Sequence, residues 1–265
     1  MCYADQDRPP LPPEDAVTHT ATGQDLVLTA ADGARLAAFA AQPSRAPTVS
    51  VASATAQVII YPDIRGLHPF YKDLALRFAE VGYTALAIDY FGRTAGLTQR
   101  GDDFEWQPHV AAMTLPGVLA DTHAALDHLR AGQPAGQATF IVGFCRGGSL
   151  ALYAATESLG LSGIIAFYAG LSRAIDPARG TPMDVAPSAR TPVLGLFGGA
   201  DAGIPPEQVQ ALDAALDQAG VDHTIVVYPN APHSFFDRKA EEFADESRDA
   251  WQRLLGFIAA RTGKN

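Results

Sequence analysis

The chain has 265 residues, 48% of them hydrophobic, and a formal net charge of −10. This is apolar material enough for one full core, and the acidity disfavours nucleic acid and acidic membrane surfaces as partners. No apolar run approaches the roughly 18 residues of a membrane span, Met1 to Arg8 contain no apolar signal-peptide core, and Cys2 and Cys145 make no disulfide framework, so a cytoplasmic protein with reduced thiols is expected.

Residues 1–22 are polar and proline-rich and read as an extended arm, with a single domain over 23–265. Asp32-Gly33 between Leu26-Val27-Leu28 and Leu36-Ala37-Ala38-Phe39 predicts a hairpin, the antiparallel edge of a sheet. Residues 42–56 read as a loop. Then a rhythm begins. Val58 to Tyr61 and Thr84 to Ile88 are short apolar runs without alternation, as expected of strands buried on both faces. Phe70, Leu74, Phe78 and Val81 recur at helical spacing between them and stop at Gly82. Residues 93–108 look irregular, and Val118, Leu119, Thr122, Leu126 and Leu129 mark a helix ending at Gly132. Strands are expected at Thr139 to Val142, Ile164 to Tyr168, Val193 to Phe197 and Thr224 to Tyr228, with a Pro/Gly-rich stretch over 170–191. Helices open at Pro205-Pro206-Glu207 and close the chain through Ala250, Trp251, Leu254 and Ile258. Strand and helix in alternation imply an α/β fold with a mostly parallel sheet of about eight strands and helices on both faces, with chemistry beyond the carboxyl ends of the strands.

One hexapeptide, Gly143-Phe144-Cys145-Arg146-Gly147-Gly148, follows a strand and opens a helix. A cysteine at the tip of such a turn, flanked by glycines at minus two and plus two, is the nucleophile-elbow pattern with sulfur in place of oxygen. The helix amino end favours thiolate. The plain alternative is a buried structural cysteine beside a tight turn. A thiol nucleophile needs a base, and the base an orienting group. Of seven histidines, His19 and His223 precede strands, His123 and His128 lie within a helix, and His68 and His109 sit in loops. His233 follows the last strand by Pro229-Asn230-Ala231-Pro232, at the correct end of the sheet. Asp201, in Gly198-Gly199-Ala200-Asp201, follows the strand before it; it could equally cap the helix near Pro205. Nucleophile, acid and histidine in that order is the α/β-hydrolase order. Asp176 and Asp184 are the other acids considered.

With these residues in hand the chain, from about Leu26 to its end, resembles the dienelactone hydrolases. The resemblance rests on Gly143 to Gly148, Gly198 to Asp201, Pro232-His233-Ser234-Phe235-Phe236, Tyr61-Pro62-Asp63-Ile64-Arg65-Gly66 and Asp89-Tyr90-Phe91-Gly92-Arg93. It implies an α/β-hydrolase fold without a large cap domain, and thiol-dependent cleavage of small esters or lactones with no cofactor and no metal. Oxyanion donors aimed at a tetrahedral carbon can also meet a phosphoryl oxygen, so activated phosphotriesters are expected as weak side substrates. It implies backbone N–H groups of Ile64 and Arg146 as oxyanion donors, with Asp63 in place of a family glutamate that gates the thiol. Asp63 is one methylene shorter, and could instead pair with Arg65 or Arg93. Arg93 matches one of two arginines that grip a substrate carboxylate. The second position is Asp237, with Arg238 next to it. An acid there favours neutral over carboxylated substrates. Phe104, Trp106 and Met183 are expected to wall the pocket, Trp106 having local core packing as its alternative. The Arg146 side chain could simply point to solvent.

Two other classes compete. A glutamine amidotransferase would need His-x-Glu, whereas Ser234-Phe235 follow His233, and a ligand-binding relic would lack a triad member, whereas none is missing. Oligomeric state is not legible.

Overall fold

The computed structural model describes residues 7–44, 56–131 and 136–263. Strands β1 (Thr20–Thr29) and β2 (Arg35–Ser44) form the expected hairpin, with Leu28 opposite Leu36 and Gly33 at φ 84° in the turn. β1 takes in Thr20, Ala21 and Thr22, which the sequence reading gave to the arm. Residues before it lie against the body: Pro10 O accepts a 3.0 Å hydrogen bond from Trp251 Nε1, and Thr18 and His19 N–H both donate to Glu80 O. Most of the loop expected over 42–56, the helix stop at Gly132 and Cys2 fall outside the described residues.

The sheet continues with β3 (Gln57–Tyr61), β4 (Thr84–Ile88), β5 (Thr139–Phe144), β6 (Gly163–Phe167), β7 (Val193–Gly198) and β8 (His223–Tyr228). Its spatial order is β1-β2-β4-β3-β5-β6-β7-β8, parallel from β4 to β8 and antiparallel at β1-β2 and β2-β4. Every residue of β3, β5, β6 and β7 is buried, which accounts for their unbroken apolar runs. β8 lies at the edge, and Val227 there is exposed.

Helices flank this sheet. α1 (Pro69–Glu80) buries Phe70, Leu74 and Phe78 and ends before Gly82, whose φ of 92° no helix accommodates. Two short helices, α2 (Gly92–Ala95) and α3 (Trp106–Ala112), replace the irregular stretch expected over 93–108. α4 (Leu115–Arg130) starts at a Thr114 cap, and α5 (Arg146–Ala154) follows β5 without a linker beyond Cys145. Within 170–191, α6 (Pro182–Val185) forms on a reciprocal Thr181/Asp184 capping box, a Thr-x-x-Asp signal present in the sequence. α7 (Pro206–Ala219) and α8 (Ala244–Ala259) complete the chain. The Phe78 and Trp251 rings lie 5.1 Å apart, so α1 and α8 share a face. No described helix is long and apolar enough to cross a membrane.

Candidate active site

The elbow exists because glycine backbone meets backbone. A Cβ on Gly143 would lie 2.2 Å from Gly147 O, and one on Gly147 would lie 2.1 Å from Tyr61 O. Only bare backbone lets the start of α5 press this closely on β5 and the end of β3. Cys145 caps α5 at φ 53°, ψ −110°, a left-handed conformation that costs a non-glycine residue about 1–3 kcal/mol. Its N–H is held by Phe167 O at 3.0 Å, which ties the tip to the end of β6.

Asp201 and His233 arrive from the ends of β7 and β8, with β6 between these strands and β5. Gly198 closes β7, and a Cβ there would lie 2.3 Å from Ala231 O, so the turn carrying His233 packs directly on the turn carrying Asp201. Asp201 Oδ2 stands 2.6 Å from His233 Nδ1, and Oδ1 accepts from Gly203 N–H at 2.8 Å. Asp201 is therefore not the cap of α7, where Pro205 sits. Asp184 caps α6 and Asp176 accepts from Ala178 N–H in its own turn, so both alternative acids have structural roles. His223 stands at the opposite end of its strand, against Val221 O and Asp213.

Burial alone would hold His233 neutral. Hydrogen bonds to the Asp201 carboxylate and to Cys145, with the charge of each, outweigh that and raise its pKa well above the ordinary histidine range. The imidazolium form of His233 is thus favoured. Ser234 and Tyr168 share with Cys145 the rare positive φ of a non-glycine residue, at 63° and 35°. Tyr168 packs its ring 4.9 Å from that of His233.

A cavity of about 290 Å³ opens over the thiol. Ile64, Trp106, Cys145, Arg146 and His233 line it together with Ser149, Arg173 and Ile204. No acceptor engages the Ile64 N–H among the described residues, and Arg146 N–H, at the first position of a helix, has no intrahelical partner. Asp63 is wholly buried next to Ile64; its Oδ1 accepts from Arg65 N–H at 2.9 Å, and its main-chain carbonyl accepts from Tyr90 OH.

Expectations for five residues need correction. The Arg93 guanidinium is shared between Asp32, at 2.6 Å, and buried Asp121, at 2.8 Å, so it holds the β1–β2 turn to α4 and takes no part in the cavity, nor does it pair with Asp63. Phe104 stacks on His109, with ring centroids 5.2 Å apart, and carries the Arg100 guanidinium on its face, which removes it from the cavity wall. Arg238 is exposed, and Met183 packs against the core. Asp237 is buried and does not line the cavity: burial and the charge of Asp63 push its carboxyl up to about 8, while hydrogen bonds from Tyr168 OH and Arg238 N–H oppose the rise. A protonated acid off the cavity repels no substrate anion, so the reason for expecting neutral substrates lapses. The wall residues missed by sequence, Arg173 and Ile204, sit in loops after β6 and β7, where strand ends were the only signal.

The eight-stranded sheet with its β5–α5 elbow and helical layers is the α/β-hydrolase fold. Within that fold the chain belongs to the dienelactone hydrolase family, which it matches over residues 36–261. A Salmonella typhimurium protein provisionally named a carboxymethylenebutenolidase is 34% identical over 78% of each chain. The carboxymethylenebutenolidase of Rhodococcus opacus is 32% identical over 76% of this chain and 79% of its own. Among solved structures, a Klebsiella pneumoniae protein provisionally named a dienelactone hydrolase superposes with a TM-score of 0.77 at 28% identity, covering 91% of this chain and 99% of the other. A dienelactone hydrolase-like promiscuous phosphotriesterase from metagenomic libraries shares the fold, with a TM-score of 0.74 at 23% identity over 92% and 100% of the two chains.

The buried Asp237 has a consequence for stability. A carboxyl whose folded pKa lies above its unfolded value near 4 favours the folded state fully below that value, and the contribution is lost as pH rises towards about 8. Asp237→Asn, which cannot ionise, should therefore gain in Tm relative to the wild-type chain on going from pH 5 to pH 8.5. An equal Tm difference at both pH values would show that Asp237 ionises as freely folded as unfolded.

Proposed function

We propose that the chain hydrolyses small carboxylic esters or lactones through a thioester on Cys145. The observation that carries this reading is the 2.6 Å contact between Asp201 and His233, whose imidazole in turn hydrogen-bonds Cys145 at the cavity floor. The Cys145 thiolate attacks the acyl carbon, and the N–H groups of Ile64 and Arg146 receive the developing oxyanion, each such donor contributing about 3 kcal/mol. The C–O bond breaks and the alkoxide takes its proton from the His233 imidazolium; in a lactone it stays tethered to the acyl group. Neutral His233 then removes a proton from water, hydroxide adds to the thioester, and the thiolate leaves with the pair in its starting state. Asp201 holds Nδ1 protonated so that Nε2 does this work. Trp106 borders the space the acyl group enters. The same oxyanion donors could meet a phosphoryl oxygen, and the metagenomic neighbour, named a promiscuous phosphotriesterase, supports slow phosphotriester turnover as a side reaction.

The test is hydrolysis of 4-nitrophenyl acetate. Cys145→Ala and His233→Ala should each reduce kcat/KM at least about 10³-fold with the Tm unchanged, and Asp201→Asn by a smaller factor, because it leaves an oriented imidazole in the wrong tautomer. Activity above a tenth of wild type in either alanine variant would remove that residue from the mechanism.

Asp63 supplies the second element of the reading. A wholly buried acid one residue from an oxyanion donor places negative charge where it opposes thiolate formation, protecting Cys145 from oxidation until substrate enters. Asp63→Asn should accelerate alkylation of Cys145 by iodoacetamide at pH 7 and shift the midpoint of the labelling profile to lower pH. Superimposable profiles for mutant and wild type would assign Asp63 to the local turn alone.

A further inference from the structure

Asp201 fixes one nitrogen of His233, and a single hydrogen bond leaves a half-buried imidazole free to tilt about it. The ring needs a second support if its other nitrogen is to stay on Cys145. Tyr168, wholly buried, is placed to give it. Its ring lies 4.9 Å from that of His233, and its hydroxyl donates to Asp237 Oδ2 at 2.7 Å. His233 and Asp237 stand at the two ends of one tight turn, in which Ser234 has φ 63° and its carbonyl accepts from Asp237 N–H at 3.2 Å. Tyr168 thus holds this turn at both ends, by its ring and by its hydroxyl.

The same residue is tied to the segments that carry Cys145 and Asp201. Its N–H donates to Leu196 O at 2.8 Å, inside β7, the strand that leads to Asp201. Phe167, just before it, accepts the Cys145 N–H. Tyr168 sits at φ 35°, a conformation residues with a side chain seldom adopt, and the rings of Phe235 and Phe144 pack on it at 5.6 and 6.3 Å. Such strain persists where the surroundings over-determine it, and it gathers where function needs a fixed geometry. Burial and the charge of Asp63 keep Asp237 protonated near neutrality, against hydrogen bonds from Tyr168 OH and Arg238 N–H and the charge of His233. Removing the Asp237 carboxyl there deletes a hydrogen-bonding partner and leaves the local charge as it was.

We propose that Tyr168 and Asp237 form a clamp that positions the His233 imidazole against Cys145, with Asp237 acting through the Tyr168 hydroxyl. Both are buried and neither lines the cavity over the thiol, so they are positioning residues and touch no substrate. Acylation and deacylation each pass a proton through His233, and a displaced ring slows both. That kinetic consequence rests on the ester-hydrolase reading. The effect on the resting thiol does not: an imidazolium held close lowers the thiol pKa, and one that drifts lowers it less.

Two readouts on the full chain test the clamp: kcat/KM for 4-nitrophenyl acetate at pH 7, and the pH midpoint of Cys145 alkylation by iodoacetamide. Tyr168→Phe keeps the ring and deletes the hydroxyl, while Asp237→Leu deletes its partner. Each should lower kcat/KM about tenfold and raise the labelling midpoint by about half a pH unit. The double variant should fall no further than the weaker single one, because both remove the same contact. Asp237→Asn, whose amide can still bond the hydroxyl, should restore kcat/KM to within about threefold of wild type. Should Asp237→Leu not fold, Tyr168→Phe and Asp237→Asn make the same comparison. A lowered Tm with an unmoved labelling midpoint in Tyr168→Phe, or additive losses in the double variant, would overturn the clamp. A labelling shift in a chain that hydrolyses no ester would keep the clamp and remove the hydrolase reading. Ester turnover with wild-type kinetics and labelling in Tyr168→Phe would do the reverse.

Discussion

The site depends on the approach of backbone to backbone at two glycines. With Gly143 and Gly147 lacking Cβ atoms, the first turn of α5 can lie on the carbonyls of Tyr61 and Pro62 at the end of β3. That approach throws Cys145 to the tip of the turn in a left-handed conformation and aims the free N–H groups of α5 at its sulfur. It also puts the ends of β3 and β5 side by side, so that Ile64 and Arg146 face one cavity from two strands. The same device recurs one layer further along the sheet. Gly198 and Gly199 let the turn of Asp201 accept the turn of His233. Two pairs of glycines thus set the spacing of three functional groups that come from three different strand ends.

Beneath these groups the protein is buried and aromatic. Phe144, Phe167, Tyr168, Phe235 and Phe236 pack ring on ring beneath the elbow and the histidine turn, with centroid separations from 4.6 Å between Phe167 and Phe236 to 6.3 Å between Phe144 and Tyr168. Low polarizability amplifies every charge interaction there. Asp237 and His233 show the two outcomes: Asp237 meets another acid, Asp63, and keeps its proton, while His233 is flanked by Asp201 and Cys145 and gains one. Positive φ at Cys145, Tyr168 and Ser234 is concentrated in this same region, where packing fixes conformations that isolated residues avoid.

Much of this was legible in the sequence because it depends on local pattern and chain order. The Asp32-Gly33 hairpin, the apolar runs of the central strands and the placement of Cys145, Asp201 and His233 just past strand ends require no knowledge of side-chain direction. What failed depends on pairings across the chain. Arg93 matched a substrate-binding position, yet its partners Asp32 and Asp121 lie 61 and 28 residues away, and no local signal announces either. Phe104 read as a pocket aromatic because nothing in the sequence shows the Arg100 guanidinium and the His109 ring on its faces. Asp237 was read as a surface of negative charge, while burial makes it a neutral hydrogen-bonding partner of Tyr168. Trp106 was undecided between pocket and core, and the position of α3 places it on the cavity.

In the proposed reaction, bond cleavage proceeds through an acyl group carried on sulfur at Cys145. Turnover of 4-nitrophenyl acetate by the wild-type chain, quenched in acid at steady state and followed by peptide mapping with mass spectrometry, tests it directly. An acetyl adduct is expected on the peptide bearing Cys145, at that residue, and should disappear once substrate is exhausted. Steady turnover with an adduct elsewhere, or with none at Cys145 under conditions that preserve a synthetic thioester, would contradict it.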